Sequence, residues 1–190
     1  MTKHFHLGLI LANIFLLGLG CRPQQQPQSL ASQKTYTNTQ FGYEISYPQT
    51  FSELNAMSEA ADLALNFPAA YTEGTNLGEA HIITTAHVGL TSSTAPKCLT
   101  NPYTGVLLTQ TVMQGGEKFY TYDIDDAGAG QRYFYRAYQT FRANVCYTVL
   151  LQLHSSAIEN FDEAQRPRAY DHGAVLAAFD KIFTTLTFQK

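Results

Sequence analysis

Apolar and polar residues alternate along much of this chain, and a single helical stripe follows near its end. Phe41-Gly42-Tyr43-Glu44-Ile45-Ser46-Tyr47-Pro48 alternates and stops at a proline, so it reads as a strand. Residues 63–67 read as a second strand, stopped by Pro68, and residues 79–88 as a third. In that third strand Ile82, Thr84, Ala86 and Val88 share one face, and His81, Ile83, Thr85 and His87 share the other. Residues 52–61 suit a short helix, residues 91–103 a loop carrying Cys98, and residues 106–113 either strand or helix. Residues 118–124 form another strand pattern, and the glycines of Ala127-Gly128-Ala129-Gly130 mark a turn.

Two strand patterns then face each other across a short loop, residues 131–141 and 145–154. One face of the first carries Tyr133, Tyr135, Ala137 and Phe141; one face of the second carries Val145, Tyr147, Val149, Leu151 and Leu153. Placing both apolar sets on one side sets Phe141 opposite Val145 and Tyr135 opposite Leu151. That register predicts a three-residue loop, Arg142-Ala143-Asn144, with Asn144 in the left-handed conformation. Residues 171–183 form the best helix, with Asp171 as its cap and Val175, Ala178, Phe179 and Ile182 as its stripe. Residues 184–188 return as a last strand. Antiparallel strands with segregated helices define an α+β domain.

The opening strand, ending in Tyr47-Pro48 and followed by Phe51, resembles the start of PsbP-like domains, and Phe179-Asp180-Lys181-Ile182-Phe183 running into Leu186-Thr187-Phe188 is similar to their last helix and strand. The resemblance implies an antiparallel sheet with helices packed on its faces, an α-β-α sandwich. It also implies binding or assembly rather than catalysis, although a fold by itself carries no function.

Before this body comes a different pattern. Lys3 precedes an apolar run from Leu7 to Gly20, too short to cross a bilayer, which needs about 20 residues. A stretch rich in Gln, Pro and Ser follows as far as Lys34. This is the pattern of a secretory signal. With Cys21 directly behind Gly20 it resembles the signal of bacterial lipoproteins, with the family's leucine displaced to Leu17 and Gly18 in its usual place. The resemblance implies a diacylglycerol thioether on Cys21, cleavage before it and acylation of the new amine. Each buried methylene adds about 0.8 kcal/mol, so two or three chains anchor firmly. Arg22 is not the aspartate that retains some members at the inner membrane, so the outer membrane, facing the periplasm, is the expected address. The chain thus divides into a signal over 1–20, a lipidated cysteine and tether over 21–34, and one globular domain over 35–190.

Charge narrows the partners. The chain carries −3, and removing residues 1–20 takes away Lys3 and no acid, leaving −4. A mildly acidic body without a basic stripe argues against nucleic acid. With Cys21 lipidated, Cys98 and Cys146 remain. In an exported protein the pair reads as a disulfide, with two free thiols or a catalytic thiol as the alternatives.

The chemistry-bearing patterns are sparse. No Gly-x-Ser-x-Gly elbow is present, and Ser155 and Ser156 after His154 read as a strand exit. His81 and His87 lie about 20 Å apart along one strand, too far to share an ion. Asp123-Ile124-Asp125-Asp126-Ala127-Gly128 begins like a calcium loop, yet position five is Ala127 and position twelve is Phe134, so a solvated acidic turn is the simpler reading. Neither a metal nor a cofactor is expected, and no catalytic residue is assigned. The one candidate binding set lies on the second face of the hairpin, where Arg132, Arg136 and Tyr138 would lie beside His154, with Arg132 opposite it. Arginines between aromatics suit an anionic ligand: a lipid headgroup, an acidic glycan or an acidic protein loop. The competing reading covers that face with a helix or with the Cys98 loop and pairs the arginines with local acids. The expected function is a membrane-tethered, non-catalytic binding or assembly module of the envelope, working with an envelope protein or an anionic glycan or lipid. The alternative is an envelope hydrolase acting on peptidoglycan or lipid.

Overall fold

The computed structural model describes residues 32–55, 61–89, 97–102 and 104–189. The expected signal, Cys21 and most of the tether lie outside them. The end of the tether does not: β1 spans Gln33–Asn38, so Lys34 is already a strand residue. It pairs with β2, Tyr43–Pro48, and β2 pairs on its other side with β10, Thr187–Phe188, making a small antiparallel sheet ordered β1-β2-β10.

A larger antiparallel sheet has seven strands, ordered β3-β4-β5-β9-β8-β7-β6. These are β3 (Ser52–Glu53), β4 (Leu63–Asn66), β5 (Leu77–Val88), β6 (Thr111–Gln114), β7 (Glu117–Gly128), β8 (Gln131–Arg142) and β9 (Val145–Ser156). The helix expected from residue 52 is instead short strand pairing at Ser52–Glu53, while residues 56–60 fall outside the description. The ambiguous stretch before β7 is extended and ends as β6. Asp123, Asp125 and Asp126 belong to β7 and not to a turn.

From β6 to β9 the sheet is a meander closed by three two-residue loops. Gly115-Gly116, Ala129-Gly130 and Ala143-Asn144 all have positive φ at both positions. This is the hairpin geometry whose twist matches that of the strands. Glycine meets it at no steric cost, whereas Ala143 meets it against its own preference.

That last loop corrects the expected register. Arg142 pairs with Val145, Tyr138 with Val149 and Arg132 with Ser155. The loop is Ala143-Asn144 alone, one residue shorter than the pattern implied. A shift of one residue turns a strand over. Phe134, Tyr138 and Thr140 therefore join Tyr147, Val149, Leu151 and Leu153 on the inner face, and all seven are buried.

Among the described residues the α-helices are α1, Ala69–Thr72, and α2, His172–Phe183. Asp171 caps α2, its side chain accepting from the Ala174 amide at 2.9 Å. Val175, Phe179, Ile182 and Phe183 are buried, at helical spacing, against the inner face of the large sheet. The Tyr138 ring stacks on Phe183 at 3.9 Å and on Phe179 at 5.5 Å, while Phe119 of β7 meets Phe183 edge-on at 5.0 Å. β2 closes the same side with Tyr43, Ile45 and Tyr47. The Tyr43 hydroxyl meets Thr84 Oγ1 at 2.8 Å, so its polar tip is satisfied within the core. On the outer face a short turn at Lys97–Leu99 lies against β8. Cys98 bonds Cys146 there, with Cα atoms 6.1 Å apart. The architecture is thus α+β on antiparallel sheets. Among the described residues no helix is long and apolar enough to cross a membrane.

Candidate functional site

The corrected register separates the residues proposed from sequence. Arg132, Arg136 and Tyr138 lie on the inner face of β8, while His154 points to the outer face of β9. There its ring stacks on Tyr133 at 4.7 Å. Its Nδ1 is 3.8 Å from Glu79 Oε2, an oxygen that also lies 3.9 Å from His81 Nε2. The four residues do not converge, because sharing a face required the longer loop.

Arg136 is committed within the fold. Its Nε and Nη2 donate to the two oxygens of Asp123, its partner across the strand pair, at 2.8 and 2.6 Å. Its Nη1 lies 3.8 Å from Asp180 of α2. These hydrogen bonds, Asp123 first, hold the guanidinium even more firmly protonated than usual. The same Asp180 accepts from the Tyr138 hydroxyl at 2.9 Å. Burial, and then that hydrogen bond, push the Tyr138 phenol up to about 12. Arg136, Tyr138, Asp123 and Asp180 thus fasten α2 to β7 and β8. Arg132 pairs with Glu159, and both side chains are exposed. Neither arginine offers an unspent charge to an anion.

The same inner face opens at the Arg132 end. A cleft of about 490 Å³ lies between the ends of β7, β8 and β9 and the segment leading into α2. Its lining includes Asp125, Arg132, Phe134, Ser155, Tyr170 and His172. Asn76 holds the wall in place. Its Nδ2 donates to the Ser156 carbonyl at 2.8 Å, and its Oδ1 accepts from the Tyr170 amide at 3.0 Å. Parallel bridging of Thr75 with Arg168 adds a second tie.

Within this frame His172, the first residue of α2, stands edge-on to Phe134 at 4.6 Å. Its Nδ1 is 3.0 Å from the Tyr170 hydroxyl. Burial, with the charge of Asp125 adding to it, raises the Tyr170 phenol above its ordinary value. The hydroxyl therefore keeps its proton and can donate it to Nδ1 or accept from it, according to the tautomer of the ring. Ser155 is 4 % exposed and lines the cleft; its hydroxyl has no hydrogen-bond partner among the described residues and opens onto the cleft, whereas the fully buried side-chain atoms without a partner among them are His81 Nδ1, Gln139 Oε1 and His154 Nε2. Asp125, on the cleft side of β7 opposite Phe134, likewise has no hydrogen-bond or ion-pair partner among them. Among the described residues no group of three or more His, Cys, Asp or Glu side chains is placed to hold a metal ion.

Of these, Tyr170 and Asn76 carry no sequence signal, and Ser155, Asp125 and His172 lie in patterns too weak to single out. They meet only because the two-residue loops fix which face each strand turns inward.

Fold and cleft together describe an α+β antiparallel-sheet protein with an open pocket at one end of its inner face. A Bacteroides thetaiotaomicron protein of known crystal structure is similar to it, with a TM-score of 0.52 at 12 % identity over 83 % of this chain and 48 % of its own. The chain thus spans about half the length of that protein, and the likeness extends to the fold alone. Two looser superpositions, which carry no argument, are with the cyanobacterial PsbP (CyanoP) of Synechocystis sp. PCC 6803 and with LpqN, involved in cell envelope biogenesis of Mycobacterium tuberculosis. The first has a TM-score of 0.44 at 12 % identity over 86 % of this chain and 96 % of its own. The second has a TM-score of 0.46 at 12 % identity over 84 % and 91 %. The chain matches no protein-family model, and no curated protein matches it significantly.

Proposed function

We propose that this chain is a non-catalytic binding or assembly module of the cell envelope, tethered through lipid on Cys21, and that the cleft beside His172 receives its ligand. The observation that carries the reading is the open cleft of about 490 Å³ at one end of the inner face. Its wall of Phe134, Tyr170 and His172, with the Tyr170 hydroxyl 3.0 Å from His172 Nδ1, suits reversible binding of a small ligand or a partner side chain. The Cys98–Cys146 bond supports an oxidising compartment. Site-specific photocrosslinking in cells tests the reading. A crosslinker replacing Asp126 at the cleft rim is expected to capture a discrete envelope component that one replacing Lys118, farther along β7, does not. No adduct from the rim, or the same adducts from both positions, would overturn it. Intact mass is expected to show the acyl adduct on a chain beginning at Cys21.

One observation favours a hydrolase as the second reading: Ser155 and His172 line the same cleft. Labelling by a fluorophosphonate that disappears in Ser155→Ala would establish it in place of the first.

A further inference from the structure

We propose that His81, held beside Glu79 and His154 on the outer face of the large sheet, is an acid-sensitive latch: its protonation parts β5 from β9 at the bulged end of their pairing and frees the Asn76 wall of the cleft. The inference goes beyond the binding reading and does not depend on it.

Three observations support it. The first is the seat of the ring. His81 is 9 % exposed, with Asn66 of β4 opposite it on one side and Gln152 of β9 on the other. Its Nδ1 is buried and has no partner among the described residues, while its Nε2 lies 3.9 Å from Glu79 Oε2. A neutral imidazole carries one N–H, which Nε2 can direct toward that oxygen; a charged imidazole carries an N–H on both nitrogens. The one on Nδ1 would have neither an acceptor nor water, and the charge itself would be taken out of water. The ring is thus accommodated where it sits only while neutral.

The second is the charge around it. Glu79 favours the proton, but its side chain is 59 % exposed, so water screens it. The same Oε2 is 3.8 Å from His154 Nδ1, so one carboxylate oxygen is shared between two rings. His154 faces Glu79 across the strand pair and stacks on Tyr133 of β8. Asn66 and Gln152 are uncharged, and α1, which also touches β5, carries no charged residue. Burial therefore outweighs Glu79 and holds the His81 imidazole below its ordinary value. An opened chain takes the proton near pH 6.5, and the closed one resists it. The stability linked to His81 is full above that pH and is lost as pH falls below it, with the opening equilibrium rising by at most about tenfold per pH unit.

The third is where the sheet gives way. Leu77 pairs with Ser155 and Glu79 with His154, so Gly78 is an extra residue and the ladder is broken there. Just beyond this bulge is Asn76, whose carbonyl accepts from the Ser156 amide at 2.9 Å and whose amide donates to the Arg168 carbonyl at 2.9 Å. With its side-chain bonds to Ser156 and Tyr170, it joins β9 to the segment leading into α2. On the other side of His81, fully buried Ile82 pairs with Leu151. Opening at His81 therefore spreads toward the bulge and not into the core, and Asn76 loses its hold on β9.

Amide hydrogen exchange of the full chain, followed by NMR from about pH 7.5 down to about pH 5 and corrected for the intrinsic rate, tests this. Protection is expected to fall at least about fivefold from Glu79 to Ile83 and at the facing residues of β9, with the Tyr170 amide following, while β7 and β8 around Arg136 keep theirs. His81→Gln has no charged form and should abolish the acid response; His154→Gln should leave it. The His81 ring of the unaltered chain should titrate below the ordinary histidine value, a measurement that decides the matter even if His81→Gln does not fold. Protection independent of pH, an acid response that survives His81→Gln or vanishes in His154→Gln, or a ring titrating at or above the ordinary value would overturn the inference. So would loosening of β5 that leaves the Tyr170 amide unmoved.

Discussion

Arg136 and Arg132 occupy one face of one strand, and the structure treats them in opposite ways. Around Arg136 every strong group has a partner: Asp123 grips it in two places, Asp180 bridges it to Tyr138, and α2 is laid over the whole cluster. Around Arg132 the helix has not yet begun, the ion pair is solvated, and a hydroxyl and a carboxylate are left without partners. The same strand pair thus supplies a sealed joint at its middle and an unfinished site at its end. The difference comes from where α2 starts. Its N-terminus sits at the cleft, so its buried stripe from Val175 onward covers the middle of the sheet and leaves the end open. The open cleft therefore lies at the end, and the interlocked contacts that stabilise the fold at the middle.

The largest effect that sharpens this contrast is in packing. Phe179 is completely buried between α2 and Tyr138. Phe179→Ala is expected to cost about 3–5 kcal/mol of unfolding free energy. Ser155→Ala, at the open end, removes an unpartnered hydroxyl and is expected to change stability by less than about 1 kcal/mol, in either direction. Urea titration of the two variants compares them directly. A large loss from Ser155→Ala would mean that the hydroxyl is structural and that the end is as closed as the middle.

The next effect separates the two arginines themselves. Asp123→Asn leaves the Arg136 guanidinium, 21 % exposed, with the more distant Asp180 as its acid, and is expected to cost about 2 kcal/mol. Glu159→Gln breaks a solvated pair and should leave the denaturation midpoint where it was. Equal losses would erase the distinction.

A smaller effect appears in alkali. The Tyr138 phenol is pushed up to about 12 by burial and by its hydrogen bond to Asp180. Unfolded tyrosine titrates near 10, so the unfolded chain loses this proton first. The stability linked to Tyr138 is full below about pH 10 and drains away as pH climbs toward 12. Buried Tyr43 and Tyr47 are raised as well and act in the same sense. Tyr138→Phe should therefore flatten the alkaline slope in part, not abolish it. An unchanged slope would place the Tyr138 hydroxyl in a more solvated setting than the sealed joint implies.

How much of this was legible beforehand depended on the range of each interaction. The stripe and cap of α2, the apolar set of β9 and, apart from the exposed Val88, the inner face of β5 follow from periodicities within single elements, and the structure reproduces them. The strand β8 defeated that reasoning because both of its faces carry aromatic residues: Tyr133, Tyr135 and Phe141 on one, Phe134 and Tyr138 on the other. Apolar content could not choose between them. What chose was long-range: Asp123 from β7 and Asp180 from α2 make the arginine-bearing face the cheaper one to bury. The cleft inherits the same dependence, since Asn76, Asp125, Ser155 and Tyr170 are far apart in sequence and each is ordinary alone.

The smallest expected effect tests that choice at its source, the loop between β8 and β9. Ala143 has a φ of 48° and Asn144 a φ of 65°. The left-handed conformation costs an ordinary L-residue about 1–2 kcal/mol, and glycine almost nothing. Glycine also loses more freedom on folding, by about 0.5–1 kcal/mol relative to alanine. Ala143→Gly should therefore stabilise the fold by about 0.5 kcal/mol net, raise the melting temperature slightly, and leave the cleft untouched. In the three-residue loop of the alternative register Ala143 has no need of a left-handed backbone. The same substitution would then only add chain entropy to the unfolded state, and the melting temperature would fall. The sign of one small shift thus reports which face of β8 turns inward, and with it whether Arg136 and Arg132 share a face with Ser155 or with His154.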